Sequence, residues 1–370
     1  MIEASTPTMP MTLSTAMAIL PSSPLSIYAV LACTLFKLYG QENIYKGLGF
    51  LKCLKRCTVG EIRKDYILDR WVIISPKRGA RPHELQKPAA VQEATCFFCP
   101  GHESLTPPEI GRVVRNGGWQ IRWFENKFAA VKPEGDTFIK TEGRFYTFGN
   151  AYGYHEVIVE TPRHDRQLAD LPVEEIEQVL HVYARRIVEL ESKPNISYVN
   201  VFKNHGYLGG TSIVHSHSQV IATDIVPPDI RKKLTAMRGF ISCPYCFIIP
   251  SERNSGRFCF ENNDFIAFTP YASRFNYEVW IFPKLHIARF EDLNFATLAQ
   301  LLSRALEKVH ELNIDYDMFV HYAPRGEDLF HLHLEICPRH AIWAGFELES
   351  GIIINSVAPE DAAKFYRGEE

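Results

Sequence analysis

The sequence has no basic excess. Across 370 residues, lysine and arginine total 40 against 43 acidic residues, for a formal charge of −3. A general nucleic-acid binder carries a broad positive field, and this chain has none. Also missing is an uninterrupted apolar run of about 20 residues, the length needed to span a bilayer. Leu25 to Phe36 is mostly apolar and no charge occurs from Ala4 to Phe36, but Pro21, Ser22, Ser23 and Pro24 interrupt the stretch. A secretory signal wants positive charge before its apolar run, whereas Glu3 is the only early charge here. Residues 1–60 are therefore read as an N-terminal extension, expected to be poorly ordered, and the protein as cytoplasmic with no membrane partner. Residue usage is otherwise that of an ordinary globular protein, with 46% hydrophobic and 22% charged residues, which excludes a disordered or fibrous chain.

Nine cysteines occur, four of them in two close pairs, Cys96/Cys99 and Cys243/Cys246. In a chain this long such pairs point to metal ligation before a disulfide framework. They also open a tandem repeat. Asn126-Lys-Phe-Ala-Ala-Val-Lys-Pro133 matches Asn263-Asp-Phe-Ile-Ala-Phe-Thr-Pro270. Glu156-Val157 precedes His164 by the step that separates Glu278-Val279 from His286. Asp170-Leu171 and Asp292-Leu293 follow those histidines at equal distance, and Asn195-Ile-Ser-Tyr198 recurs as Asn313-Ile-Asp-Tyr316. Each copy closes on His-x-His, His215/His217 and His331/His333. Such ordered self-similarity marks duplication.

Runs rich in β-branched and aromatic residues predict strands at 154–160, 198–203 and 215–222, and at 278–282, 316–322 and 331–337. Apolar residues at helical spacing predict long helices over 171–190 and 293–312. The expected fold is α+β: two tandem units, each with an antiparallel sheet flanked by a long helix. The boundaries read as 61–222 and 232–345, with a C-terminal tail at 346–370.

Zinc in a closed structural site takes four nitrogen or sulfur ligands. The repeat pairs each Cys-x-x-Cys with equivalent histidines, giving Cys96, Cys99, His164 and His215 in one set and Cys243, Cys246, His286 and His331 in the other. The expected cofactor is zinc, one or two ions per chain. The first His-x-His strand differs from the second. It reads His215-Ser-His217-Ser-Gln219 after the glycine-rich lead-in Asn204-His-Gly-Tyr-Leu-Gly-Gly210-Thr-Ser212. Residues two apart share a strand face, so His215, His217 and Gln219 are expected to line up. Glycines let backbone N–H groups approach an anion. A neutral imidazole beside such a cradle can attack phosphorus and carry a covalent nucleotidyl group. His217 and Gln219 are the candidate catalytic residues. The role of His333 stays open.

From about Glu61 to Gly345 the chain resembles the galactose-1-phosphate uridylyltransferase family, a duplicated branch of the histidine-triad superfamily. The resemblance is carried by Asp69-Arg-Trp-Val-Ile-Ile-Ser-Pro-Lys-Arg-Gly-Ala-Arg-Pro82, Cys96-Phe-Phe-Cys-Pro100, Phe202-Lys-Asn-His-Gly206 and the His215–Gln219 strand. It implies that His217 is the nucleophile and Gln219 its partner. It also implies zinc ligation by Cys96, Cys99, His164 and His215, and substrate binding by Arg78, Arg81, Asn126, Asn204, Gly210 and Ser212. The implied reaction is double displacement: UDP-glucose uridylylates His217, glucose 1-phosphate leaves, and a hexose 1-phosphate takes the UMP. A homodimer is implied too. His-Ser-His-Ser-Gln, in place of His-Pro-His, is similar to the ADP-glucose phosphorylase branch, as is the complete second Cys/His set. UDP-glucose–hexose-1-phosphate uridylyltransferase is the leading expectation and an ADP-sugar phosphorylase of the same family the alternative, since the base and the acceptor, hexose phosphate or inorganic phosphate, stay open. A different class is a zinc-stabilised nucleotide-binding module without turnover. A nucleic-acid binder built on two zinc knuckles is disfavoured, since no Lys/Arg cluster interleaves with aromatics near either Cys pair.

Overall fold

The computed structural model describes residues 61–74 and 95–369. The extension at 1–60 and both candidate arginines, Arg78 and Arg81, lie outside the described residues.

The fold is α+β. Five strands come from each repeat. The first supplies β3 (Glu109–Arg115), β4 (Gly118–Glu125), β7 (Gly153–Val159), β8 (Tyr198–His205) and β9 (His217–Thr223). The second supplies β10 (Phe258–Glu261), β11 (Phe265–Phe268), β12 (Val279–Pro283), β13 (Tyr316–His321) and β14 (His333–Pro338). They form one sheet, in the order β10-β11-β12-β14-β13-β8-β9-β7-β4-β3. The sequence suggested a sheet per unit. The two are continuous because β8 and β13, each an edge with unpaired backbone groups, pair antiparallel with each other. At that seam Phe202 lies opposite Phe319. A short hairpin, β5 (Lys140–Glu142) and β6 (Tyr146–Phe148), stands apart from the sheet.

Helix α1 (Val173–Glu191) runs two residues later than its periodicity suggested, because Pro172 caps it and cannot continue a helix N-terminally. Its Ile176, Val179, Leu180, Tyr183, Ile187 and Leu190 are buried. Helix α4 (Phe295–Glu311) repeats the stripe with Leu298, Leu301, Leu302, Leu306 and Val309. Both helices join the same apolar core. Along β8 burial alternates: Val199, Val201 and Lys203 are buried, while Asn200, Phe202 and Asn204 are half-buried. This period of two gives the sheet one helix-covered face and one more open face.

Helices α2 (Pro228–Met237) and α3 (Tyr245–Arg253) follow the first repeat. The hairpin of β1 (Glu61–Lys64) and β2 (Trp71–Ile74) precedes that repeat in sequence but bonds to the second half, with Tyr66 donating to Glu252 at 2.8 Å. Residues 346–369 contribute to the same region. After α5 (Gly345–Ser350), β15 (Ile353–Asn355) pairs parallel with β2. Glu360, on α6 (Pro359–Arg367), accepts from Arg63 at 3.0 Å and Arg257 at 2.8 Å.

Candidate active site and metal centres

The structure brings each four-residue Cys/His set together, with all four ligand atoms within 4.8 Å of one another. In the first, His215 Nδ1 lies 3.5 Å from Cys96 Sγ and 3.6 Å from Cys99 Sγ, and His164 Nδ1 lies 3.4 Å from Cys99 Sγ. In the second, His331 Nδ1 lies 3.8 and 3.7 Å from Cys243 and Cys246, and His286 Nδ1 lies 3.4 Å from Cys246. A tetrahedral zinc with Zn–S near 2.3 Å and Zn–N near 2.0 Å would hold neighbouring S and N donors about 3.5 Å apart. The donor sets therefore fit zinc in chemistry and in size. The rings are also turned for it. His215 Nε2–H donates to the Thr161 carbonyl at 2.7 Å, His331 to Pro283 at 3.0 Å and His286 to Asp328 at 2.7 Å, leaving each Nδ1 lone pair toward the thiols. Burial pushes the Cys99 thiol up to about 11 and Cys243 up to about 12, so a cation is what would hold them as thiolates.

The strands of both His-x-His motifs start two residues later than expected, at His217 and His333. His215 and His331 stand just before the ladder, where their rings reach the cysteine turns. Within β9, His217 and Gln219 share the open face. His217 Nδ1–H donates to the His215 carbonyl at 2.8 Å, which leaves Nε2 with its lone pair. Burial lowers the proton affinity of this ring, so it is neutral at neutral pH. Phe98 of the first cysteine turn packs edge-on against it at 5.3 Å between centroids.

Ser216 and Ser218 point to the helix face, into a network that sequence reasoning missed. Glu160 accepts from Ser216 Oγ at 2.5 Å, Lys203 Nζ at 2.6 Å, Tyr183 at 2.8 Å and Ser218. Lys203 also donates to the His217 carbonyl at 3.1 Å. Burial would raise the Glu160 carboxyl, but Lys203 and the serine hydroxyls outweigh it and hold it below the usual carboxylate range. A carboxylate at the end of one strand and a lysine in the next gave no motif in the sequence; only the strand pairing joins them.

The structure brings Asn126 beside Gln219, together with a neighbour the sequence did not single out. His155 Nε2 lies 2.8 Å from Gln219 Oε1, and Asn126 Nδ2 lies 3.4 Å from the same oxygen. A cavity of about 370 Å³ opens beside them, lined by Pro107, Lys127, Val131, Lys132 and Tyr154 among others. Asn204 stands on β8, and the exposed loop after it holds Gly210 and Ser212. This loop is less of an N–H cradle than its glycines suggested. The N–H groups of Leu208, Gly210 and Thr211 are taken by Asp315, Tyr207 and Gly206. Gly206, at φ +75°, is required by packing: a Cβ there would lie 2.1 Å from Asp315 Oδ1.

The second repeat holds a filled counterpart. Phe202 is paired with Gln219 and Phe319 with Glu335, so Glu335 stands where Gln219 does, and His333 where His217 does. Lys233 of α2 reaches in, its Nζ 2.8 Å from His321 Nδ1, 2.9 Å from His333 Nε2 and 2.6 Å from Glu335 Oε1. His333 is fully buried and stacked between Phe282 and Phe330. Its Nδ1 donates to the His331 carbonyl at 2.9 Å, so the remaining lone pair accepts from the ammonium. The second histidine is a core residue, and the cation position of this cluster is held by lysine.

The sheet thus joins two antiparallel halves, and His217, anchored through Nδ1, stands beside the first Cys/His cluster. The signature described as "Galactose-1-phosphate uridyl transferase, N-terminal domain" matches residues 52–227. An ADP-glucose phosphorylase of Arabidopsis thaliana is 32% identical over 83% of this chain and 92% of its own length. A galactose-1-phosphate uridylyltransferase of Thermotoga maritima is 29% identical over 84% of this chain and 98% of its own. The crystal structure of an ADP-glucose phosphorylase from Arabidopsis thaliana with bound ADP-glucose superposes with a TM-score of 0.72, at 31% identity, covering 84% of this chain and all of that one. The chain belongs to the galactose-1-phosphate uridylyltransferase family of nucleotidyltransferases.

Proposed function

We propose that the protein transfers a nucleotidyl group from a nucleoside diphosphate sugar by double displacement through His217. The observation that carries this is the ring itself: neutral, anchored at Nδ1 and presenting the Nε2 lone pair beside Gln219. In the first step Nε2 attacks the α-phosphorus, a P–N bond forms, and the bond from that phosphorus to the bridging oxygen breaks. The sugar 1-phosphate leaves with the electron pair. In the second step a phosphate oxygen of the acceptor attacks the same phosphorus and returns the imidazole. Gln219 donates to the phosphoryl oxygens as charge builds on them. Cys96, Cys99, His164 and His215 would hold a zinc that fixes the nucleophile's strand against the cysteine turn, and the second set would hold another in the C-terminal half. The cavity beside Asn126 is of a size to take a nucleoside. Arg78, Arg81, Asn204, Gly210 and Ser212 complete the proposed binding groups.

ADP-glucose is the donor we favour, with inorganic phosphate as acceptor. The support is the His-Ser-His-Ser-Gln strand and the likeness to the Arabidopsis enzyme. UDP-glucose with a hexose 1-phosphate, the pair the sequence put first, is the second reading, favoured by the family signature and the Thermotoga relative. A homodimer in the cytoplasm belongs to the same reading; among the described residues no helix is long and apolar enough to cross a membrane. Intact-protein mass spectrometry after incubation with each sugar nucleotide tests it. An AMP adduct is expected, a UMP adduct selects the second reading, and no adduct with either rejects nucleotidyl transfer.

A further inference from the structure

The Gln219 amide has a donor end and an acceptor end, and nothing in its own strand decides which of them faces the nucleophile. Two groups from the neighbouring strand and loop do. The Ala130 N–H donates to His155 Nδ1 at 3.1 Å. A neutral imidazole that accepts at Nδ1 carries its hydrogen on Nε2. Burial keeps this ring neutral by lowering its proton affinity. The Nε2–H therefore donates to Gln219 Oε1, at 2.8 Å. Asn126 is oriented in the same way. Its Oδ1 accepts from the Phe128 N–H at 2.9 Å, which turns Nδ2 into the His155–Gln219 contact, 3.1 Å from His155 Nε2 and 3.4 Å from Gln219 Oε1; with the hydrogen on Nε2, only Gln219 Oε1 can accept from it. The Asn126 N–H also donates to the His155 carbonyl at 2.7 Å, tying the loop to the strand. Two backbone amides of the segment 126–130 thus set two side chains, and both supply donors to one oxygen.

We propose that His155 is a positioning residue: with Asn126 it occupies the Gln219 carbonyl oxygen and so turns the Gln219 NH2 toward the phosphoryl group at His217. This rests on the reading of His217 and Gln219 as the site of nucleotidyl transfer. The opposite amide orientation would set NH2 against the His155 N–H and put a carbonyl oxygen against the phosphoryl oxygens, so it is disfavoured at both ends.

The test is a double-mutant cycle in the full chain, read as the single-turnover rate of adduct formation with ADP-glucose and with UDP-glucose. Metal content and melting temperature are measured alongside. His155→Phe should slow adduct formation roughly 10- to 100-fold, as misplacement of a catalytic group does, with little change in the half-saturating donor concentration. In a Gln219→Ala background the same change should cost less than about 3-fold, since coupled residues are not additive. His155→Gln, which keeps a donor near the Nε2 position, should restore most of the rate, whereas His155→Glu, of the same shape without a donor, should not. Equal losses in both backgrounds, a wild-type rate for His155→Phe, or equal rates for the Gln and Glu variants would overturn the proposal. The Gln and Glu pair decides it should the Phe variant not fold. A Gln219→Ala protein with the wild-type rate would instead overturn the role of Gln219, and absence of any adduct in the wild type would overturn both.

Discussion

His215 and His217 stand two residues apart, yet their rings are committed to different partners. His215 gives Nε2–H to Thr161 and aims Nδ1 at Cys96 and Cys99, while His217 gives Nδ1–H to the His215 carbonyl and keeps Nε2. Opposite tautomers follow from which carbonyl each ring meets, and they separate the consequences of removing each ring. His217→Gly should abolish adduct formation while keeping metal content and a cooperative melt. His215→Gly should lose one metal and stability as well as activity. Supplying a preformed nucleoside 5′-phosphorimidazolide to His217→Gly should restore transfer to the acceptor, because the imidazole then arrives with the donor. Retention of normal exchange by His217→Gly would show direct transfer between two bound substrates.

At the scale of elements, the β9 strand is held from behind. Glu160 at the end of β7, Lys203 on β8 and Tyr183 on α1 converge on Ser216 and Ser218, so the strand that carries His217 is bonded on the face opposite that ring. This explains serines on either side of His217 without giving them a role in chemistry. Removing one partner of a buried ion pair costs about 3–5 kcal/mol, so Glu160→Gln should lower stability by that order at neutral pH. The Glu160 carboxyl is held below its ordinary value, so its contribution is complete above the unfolded glutamate value of about 4.3 and is lost as pH falls through the lower folded value. Urea unfolding of the wild type and Glu160→Gln should therefore converge as pH drops below about 4.3. Parallel curves down to strong acid would remove Glu160 from this role.

For the whole molecule, the duplication is complete in topology and unequal in chemistry. Each half keeps five strands, a long helix and a Cys/Cys/His/His cluster. Of the two His-x-His motifs, the first leaves Nε2 of its second histidine open, whereas in the second motif Lys233 occupies it. Elemental analysis of purified protein should find close to two zinc ions per chain. Cys96→Ser should bring this to one and destabilise the fold, since structural zinc contributes on the order of 10 kcal/mol in small modules. Active, folded protein without zinc would contradict both sites, and one ion per wild-type chain would make the second cluster a metal-free remnant. Adduct formation should stop at one nucleotidyl group per chain.

The repeat, the helices and the make-up of both Cys/His clusters were legible in the sequence because each rests on a local period or spacing. Cys-x-x-Cys is one turn, His-x-His is one strand step, and the stripe from Ile176 to Leu190 is a helical period. That His217 and Gln219 share one strand face was legible for the same reason. What the tertiary structure alone decided depends on pairing between distant strands. The seam of Phe202 with Phe319, which merges two sheets into one, is a contact across 117 positions that no local pattern encodes. The Glu160–Lys203 pair, the His155–Gln219 contact and the lysine that fills the second site arise in the same way. Each side chain is ordinary in its own segment. Its partner is chosen by strand register and burial, because a charge or amide taken out of water must find a complementary group wherever the fold supplies one.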